Sequence, residues 1–74
     1  MEKINNPEAL VGKKCKGFKF KDDKLMFTDG MESYVGREGK IAEYDSVNII
    51  YRIDYPDNFW YYPANEQIFD NLID

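Results

Sequence analysis

Histidine is absent from this chain, and cysteine occurs once, at Cys15. A single thiol closes no intramolecular disulfide, and without histidine the usual zinc ligand sets cannot be assembled, so no covalent staple and no metal is expected. Acid–base chemistry would then fall to carboxylates, Tyr, Lys or Cys15. The carboxylates are scattered among turns and strand edges, and Asp22-Asp23 reads as a turn signal. Cys15 has no base beside it in the sequence, and lysines near it affect only its acidity. The expectation is a protein that is not an enzyme, with no catalytic residue and no cofactor.

Long apolar runs are missing too. No segment approaches the roughly 18 apolar residues that a membrane span requires, and the opening "MEKINNPEAL" has no apolar signal-peptide region. A soluble chain with no membrane partner is expected, and its single cysteine fits a reducing, cytoplasmic setting.

What remains is a chain of 74 residues, 43% hydrophobic and 16% aromatic, too apolar to be disordered, with 32% charged residues to keep it in solution. One domain over 1–74 is expected, with residues 1–9 as an N-terminal extension, as a monomer or weak homodimer. A core of this size leaves only about 3–5 kcal/mol of net stability. The net charge of −4 is unevenly spread: residues 1–24 carry seven basic and four acidic side chains, whereas residues 25–74 carry three basic and ten acidic. Nucleic-acid affinity comes largely from Lys and Arg, so the acidic balance disfavours nucleic acid as a partner of most of this molecule.

Along the chain, "NNPEALVG" reads as one helical turn, with Asn6 as cap, Pro7 at the first helical position and Gly12 as stop. From Lys13 the pattern turns to period two. Cys15, Phe18 and Phe20 are placed inward by assuming a bend near Gly17, and "KDDKLMFTDGMESY" is a long excursion that drapes Leu25, Met26 and Phe27 over an open end of a sheet. "GREGKIAEYDS" supplies a reversal and a short strand over 39–44, with Asp45 and Ser46 in the following turn. The clearest strand spans 47–55: Val47, Ile49, Tyr51, Ile53 and Tyr55 alternate with a face polar except for Ile50.

The loop "YPDNF" fixes which aromatics of "FWYYP" are core. With Pro56 and Asp57 central in a type I turn and Asn58 left-handed, Tyr55 pairs with Phe59. That register, the preferred one, buries Ile49, Tyr51, Ile53, Phe59 and Tyr61 and turns Trp60 and Tyr62 outward. A two-residue Asp57-Asn58 loop flips every ring to the other face. Pro63 ends the strand, "ANE" permits a 3₁₀ turn, and Ile68, Phe69, Leu72 and Ile73 supply a last edge strand or turn. The expected fold is all-β: a small five-stranded barrel whose helix is confined to isolated turns.

"VGREGKI", with Gly36-x-x-Gly39-x-Ile41, resembles the turn and strand of KOW- and Tudor-type SH3-like barrels, and "FWYYPANEQI" resembles their closing strand and 3₁₀ turn. From "LVGKKCKGFKF" to "WYYPA" the chain is also similar to small uncharacterised SH3-like proteins of bacteria and their phages. The resemblance implies a non-catalytic barrel that binds partners through loops and exposed aromatics, including a phage-type protein that binds or inhibits a host factor. Around Gly36–Ile41 only Arg37 and Lys40 are basic, a departure from barrels of this type that bind RNA.

Two candidate surfaces follow. Ile50, Arg52, Trp60 and Tyr62 form the outward strip of the preferred register, and Trp, Tyr and Arg are enriched in binding hot spots, so a protein partner is expected there. The alternative is single-stranded DNA or RNA on the lysine-rich strand 13–24, where Lys14, Lys16, Lys19 and Lys21 surround Phe18 in the mixture of cations and stacking rings that such binding uses. The same lysines read more simply as a solvated edge guarded against aggregation. A third reading makes the acidic face a mimic of nucleic acid.

Overall fold

Alternation of apolar and polar side chains in "YRID" builds the central strand, β3 (Ile50–Asp54), which buries Tyr51 and Ile53 and turns Arg52 and Asp54 outward. It belongs to a computed structural model that describes residues 6–22 and 24–73. The first five residues of the N-terminal extension and Asp23 of the acidic pair lie outside the described residues. The other strands are β1 (Lys14–Lys16), β2 (Glu38–Asp45), β4 (Phe59–Pro63) and β5 (Leu72–Ile73). All pair antiparallel in the order β4-β3-β2-β1-β5. The all-β expectation holds, but β4 and β5 are the two edges of the sheet, which does not close on itself.

Helix is confined to single turns among the described residues: a 3₁₀ turn at Pro7–Leu10, α1 (Asp29–Glu32) and α2 (Gln67–Asp70). Asn6 precedes the first and Pro7 opens it, where a missing N–H costs nothing. The Tyr51 hydroxyl donates to the Pro7 carbonyl at 2.5 Å, tying this turn to β3.

One face of the sheet is packed. Cys15, Ile41, Tyr51, Ile53 and Tyr62 point into it and meet Phe18, Phe20, Met31 and Tyr34 from the long excursion, Leu10 from the 3₁₀ turn and Ile68 from α2. Leu25 and Phe27 drape over this core as expected, whereas Met26 is 79% exposed. The bend near Gly17 has a steric cause: a Cβ there would collide with the Tyr34 carbonyl and lie 2.6 Å from the Tyr55 hydroxyl. Glycine lets β1 continue as a parallel bridge to Val35. In β2 a bulge between Ile41 and Glu43 shifts the alternation by one residue, so that Ile41 opposite Ile53 and Tyr44 opposite Tyr51 both face inward.

Two face assignments are corrected. The period-two run does not extend to Val47 and Ile49, which are 86% and 39% exposed, because residues 46–49 form the turn between β2 and β3. The Asp45 carboxylate accepts from the Val47 and Asn48 amides and from Asn48 Nδ2, at 2.8, 3.1 and 2.8 Å, drawing these residues out of the strand. Ile49 completes the turn at φ 57°, a left-handed backbone that a β-branched residue adopts at a cost.

The second correction concerns "FWYYP". Tyr55 pairs with Asn58, whose carbonyl accepts the Tyr55 N–H at 2.7 Å, leaving Pro56-Asp57 as a two-residue loop. Asn58 does not adopt the left-handed conformation that the three-residue loop requires; its side chain instead accepts the Phe59 N–H at 2.8 Å. Ile53 therefore lies opposite Trp60 and Tyr51 opposite Tyr62, so Trp60 and Tyr62 face the core while Phe59 and Tyr61 face outward. Pro63 explains why this register wins. The bonds Tyr55–Asn58 and Ala64–Ile49 show that residues 58 and 64 aim their amides at β3, so by period two residues 59, 61 and 63 aim theirs at the free edge. Proline has no N–H to give, and the preferred register, with Phe59 and Tyr61 inward, would have turned it toward β3, whereas the inward Trp60 and Tyr62 that the two-residue alternative expected leave it at the edge.

Candidate protein-docking face

The second face of the sheet is largely open to solvent, with Pro63 at the end of β4 buried, and is laid out in rows across the strands. One row runs Ile73, Lys14, Lys40, Asp54, Phe59 from β5 to β4; the next holds Glu43, Arg52 and Tyr61, and the last Asp45, Ile50 and Pro63. Lys16 and Glu38 pair at the far side, and Lys14 Nζ reaches Glu38 at 3.7 Å. The face is thus basic over β1 and acidic over β2–β4.

Its aromatic part lies in the acidic half. Phe59 and Tyr61 are two apart on β4, their rings 5.8 Å from centroid to centroid and nearly perpendicular, an edge-to-face pair, and they are 48% and 44% exposed. Arg52 stands between them and the carboxylates: Nε donates to Asp54 at 2.9 Å, Nη1 lies 3.2 Å from Glu43, and the guanidinium carbon is 5.7 Å from the Phe59 ring centroid. The bond to Asp54 raises the Arg52 pKa and keeps it charged. A depression of about 360 Å³ opens beside it, lined by Glu43, Tyr44, Asp45, Ser46, Arg52 and Tyr61. The Asn48 side chain, with the Asn48 and Val47 amides, holds the Asp45 carboxylate below its usual pKa.

Of the strip expected from the sequence, Ile50 and Arg52 are on this face and the two rings are not. Tyr62 is fully buried, 5.0 Å from Phe18 and 5.7 Å from Phe20 between ring centroids, and cannot belong to an outward strip. Trp60 is half-buried, packed on Tyr34 at 5.8 Å and against Gly30 of α1, with its Nε1 buried and unpartnered among the described residues. The rings that replace them, Phe59 and Tyr61, are those that the two-residue alternative turned outward, although the loop is Pro56-Asp57 and not Asp57-Asn58.

The lysine stripe is partly assembled. Lys14, Lys16, Lys19 and Lys21 are exposed, but Phe18 is buried, and so is Phe20, so neither offers a face on which a base could stack. Cys15 is fully buried, and burial pushes its thiol up to about 12, the opposite of an activated nucleophile. Among the described residues no group of three or more acidic or sulfur ligands is placed to hold a metal ion, and no helix is long and apolar enough to cross a membrane. No protein-family model matches the chain, nor does any curated protein or solved structure.

Proposed function

We propose that the chain is a non-catalytic protein-binding module, an SH3-like scaffold that docks a partner protein by the outer sheet face around Phe59, Tyr61, Arg52 and Ile50. The observation that carries this reading is the pair of neighbouring rings, each about half exposed, beside an arginine on one sheet face. Aromatic side chains and Arg supply most hot-spot energy at interfaces, because they offer large contact area at small entropic cost. The scaffold is supported by connectivity: β2, β3 and β4 follow one another as a meander, one helical turn separates β4 from β5, and β5 returns to pair with β1.

The same layout weighs against nucleic acid. Single-strand binding needs cations and stacking rings together. Here the exposed rings lie among Glu43, Asp45 and Asp54, while the lysines lie on β1 and beyond it, next to rings that are buried.

Immobilised protein should retain a partner from lysate that Phe59→Ala or Tyr61→Ala loses at unchanged melting temperature, and that Met26→Ala, altered at an exposed loop residue, keeps. Single-stranded DNA and RNA should show no salt-sensitive binding. Retention indifferent to both ring substitutions, or tight binding to single strands that weakens steeply with salt, would overturn the reading.

A further inference from the structure

Resting on that docking reading, we infer that the occupant of the face is an extended cationic segment of a partner protein, with one Lys or Arg head group in the depression between Glu43, Asp45 and Tyr61 and an apolar neighbour against Phe59. The local charge is the first reason. Three carboxylates, Glu43, Asp45 and Asp54, surround the rings against two cations among the described residues, Arg52, whose donors are engaged by Glu43 and Asp54, and Lys40, which lies across from Asp54. The patch therefore keeps a surplus of negative charge in the half of the face that carries the rings.

The depression supplies the second reason. Its lining sets two carboxylates and Ser46 beside Arg52 and two tyrosines, so next to the guanidinium it still offers acceptors to a cationic head and an apolar wall to its alkyl stem. Rings also attract cations through their faces, and Arg52 already stands over Phe59 in this way. A segment in extended form places alternate side chains on one side about 6–7 Å apart, close to the 5.8 Å between the Phe59 ring and that of Tyr61, which lines the depression.

A second copy of the chain fits less well. Two half-exposed rings per copy provide little apolar surface against the roughly 1,200–2,000 Å² buried in a stable interface. Nor does the β4 edge continue readily into another sheet. Pro63 has no N–H and the Phe59 N–H is taken by its Asn58 neighbour, which leaves Tyr61 as the one residue of β4 whose outward N–H has no partner among the described residues.

The test is an NMR titration of the isotope-labelled full chain with a short peptide alternating Arg and Val, alongside an analogue with Gln for every Arg. The Arg peptide should shift resonances of Glu43, Arg52, Phe59 and Tyr61, and bind at least about tenfold more tightly than the Gln analogue, a difference that shrinks as salt is raised. Glu43→Gln should weaken the Arg peptide about threefold or more without moving the melting temperature. Equal binding of the Gln analogue at the same residues overturns the cationic occupant and leaves the docking face standing. Shifts confined to other surfaces, or binding unaffected by Tyr61→Ala, overturn the docking face itself. Absence of binding by the Arg peptide, or outer-face shifts that depend on protein concentration alone and so mark a second copy, also overturns the inference.

Discussion

The hydroxyls of Tyr55 and Tyr62 lie 2.8 Å apart in the core, each serving as the other's hydrogen-bond partner across the β3–β4 hairpin. Two buried polar groups thereby partner each other, and the pair fixes the end of β4 against the segment that follows β3. Removing one hydroxyl leaves the other buried and unpaired, so Tyr62→Phe should cost about 1–3 kcal/mol in denaturant unfolding. Because Tyr55→Phe/Tyr62→Phe removes both groups together, it should cost less than the sum of the single changes. Simple additivity would mean that the two hydroxyls do not interact.

Neighbouring tyrosines should differ sharply. Tyr62 is fully buried and Tyr61 about half exposed, so Tyr62→Ala should cost about 3–5 kcal/mol while Tyr61→Ala stays below about 1 kcal/mol. Thermal melts of the two variants measure this directly, and the reverse order would put Tyr61 in the core.

Gly30→Ala should destabilise, although alanine is the better helix former by about 1 kcal/mol. A Cβ at Gly30 lies 2.8 Å from the far edge of the Trp60 indole, a rigid ring packed against Tyr34, and overpacking of this kind typically costs about 1–3 kcal/mol. Trp60 is the only tryptophan, so a red shift of its emission in the variant would report the displaced ring. A variant with raised stability and unchanged emission would show that the ring yields freely.

Stability should fall in alkali. Burial pushes the Cys15 thiol and, with a contribution from Tyr44, the Tyr51 phenol up to about 12, and burial raises Tyr55 and Tyr62 as well. In the unfolded chain a thiol ionises near about 8.5 and a phenol near about 10. Above those values the unfolded state holds fewer protons than the folded one, so the free energy of unfolding decreases as pH rises. The contribution is intact below about pH 8.5 and should erode progressively toward about pH 12. Melting temperatures between pH 7 and 11 test it, and Cys15→Ala should flatten the first part of the decline. A constant melting temperature throughout would contradict the burial of these groups.

Local chemistry carried much of the fold. Pro7 after Asn6 and the alternation of Tyr51, Ile53 and Tyr55 each act over a few residues and are written in neighbouring side chains, whereas the need for glycine at Gly17 comes from distant Tyr34 and Tyr55. The candidate face was less legible. Arg52 and Ile50 fell on it because β3 alternates cleanly, but Phe59 and Tyr61 stand on it only because the hairpin shifted by one residue relative to the favoured loop.

The sequence by itself determined a small β protein with single-turn helices, an acidic balance, one inert thiol and a ring-rich fourth strand. Only the tertiary structure decided which rings are core. A strand such as "FWYYP" is apolar on both faces, so burial energy alone barely distinguishes its two orientations. The choice fell to backbone donors: Asn58 closed the turn, and Pro63 had to face a free edge because it has no hydrogen to offer β3.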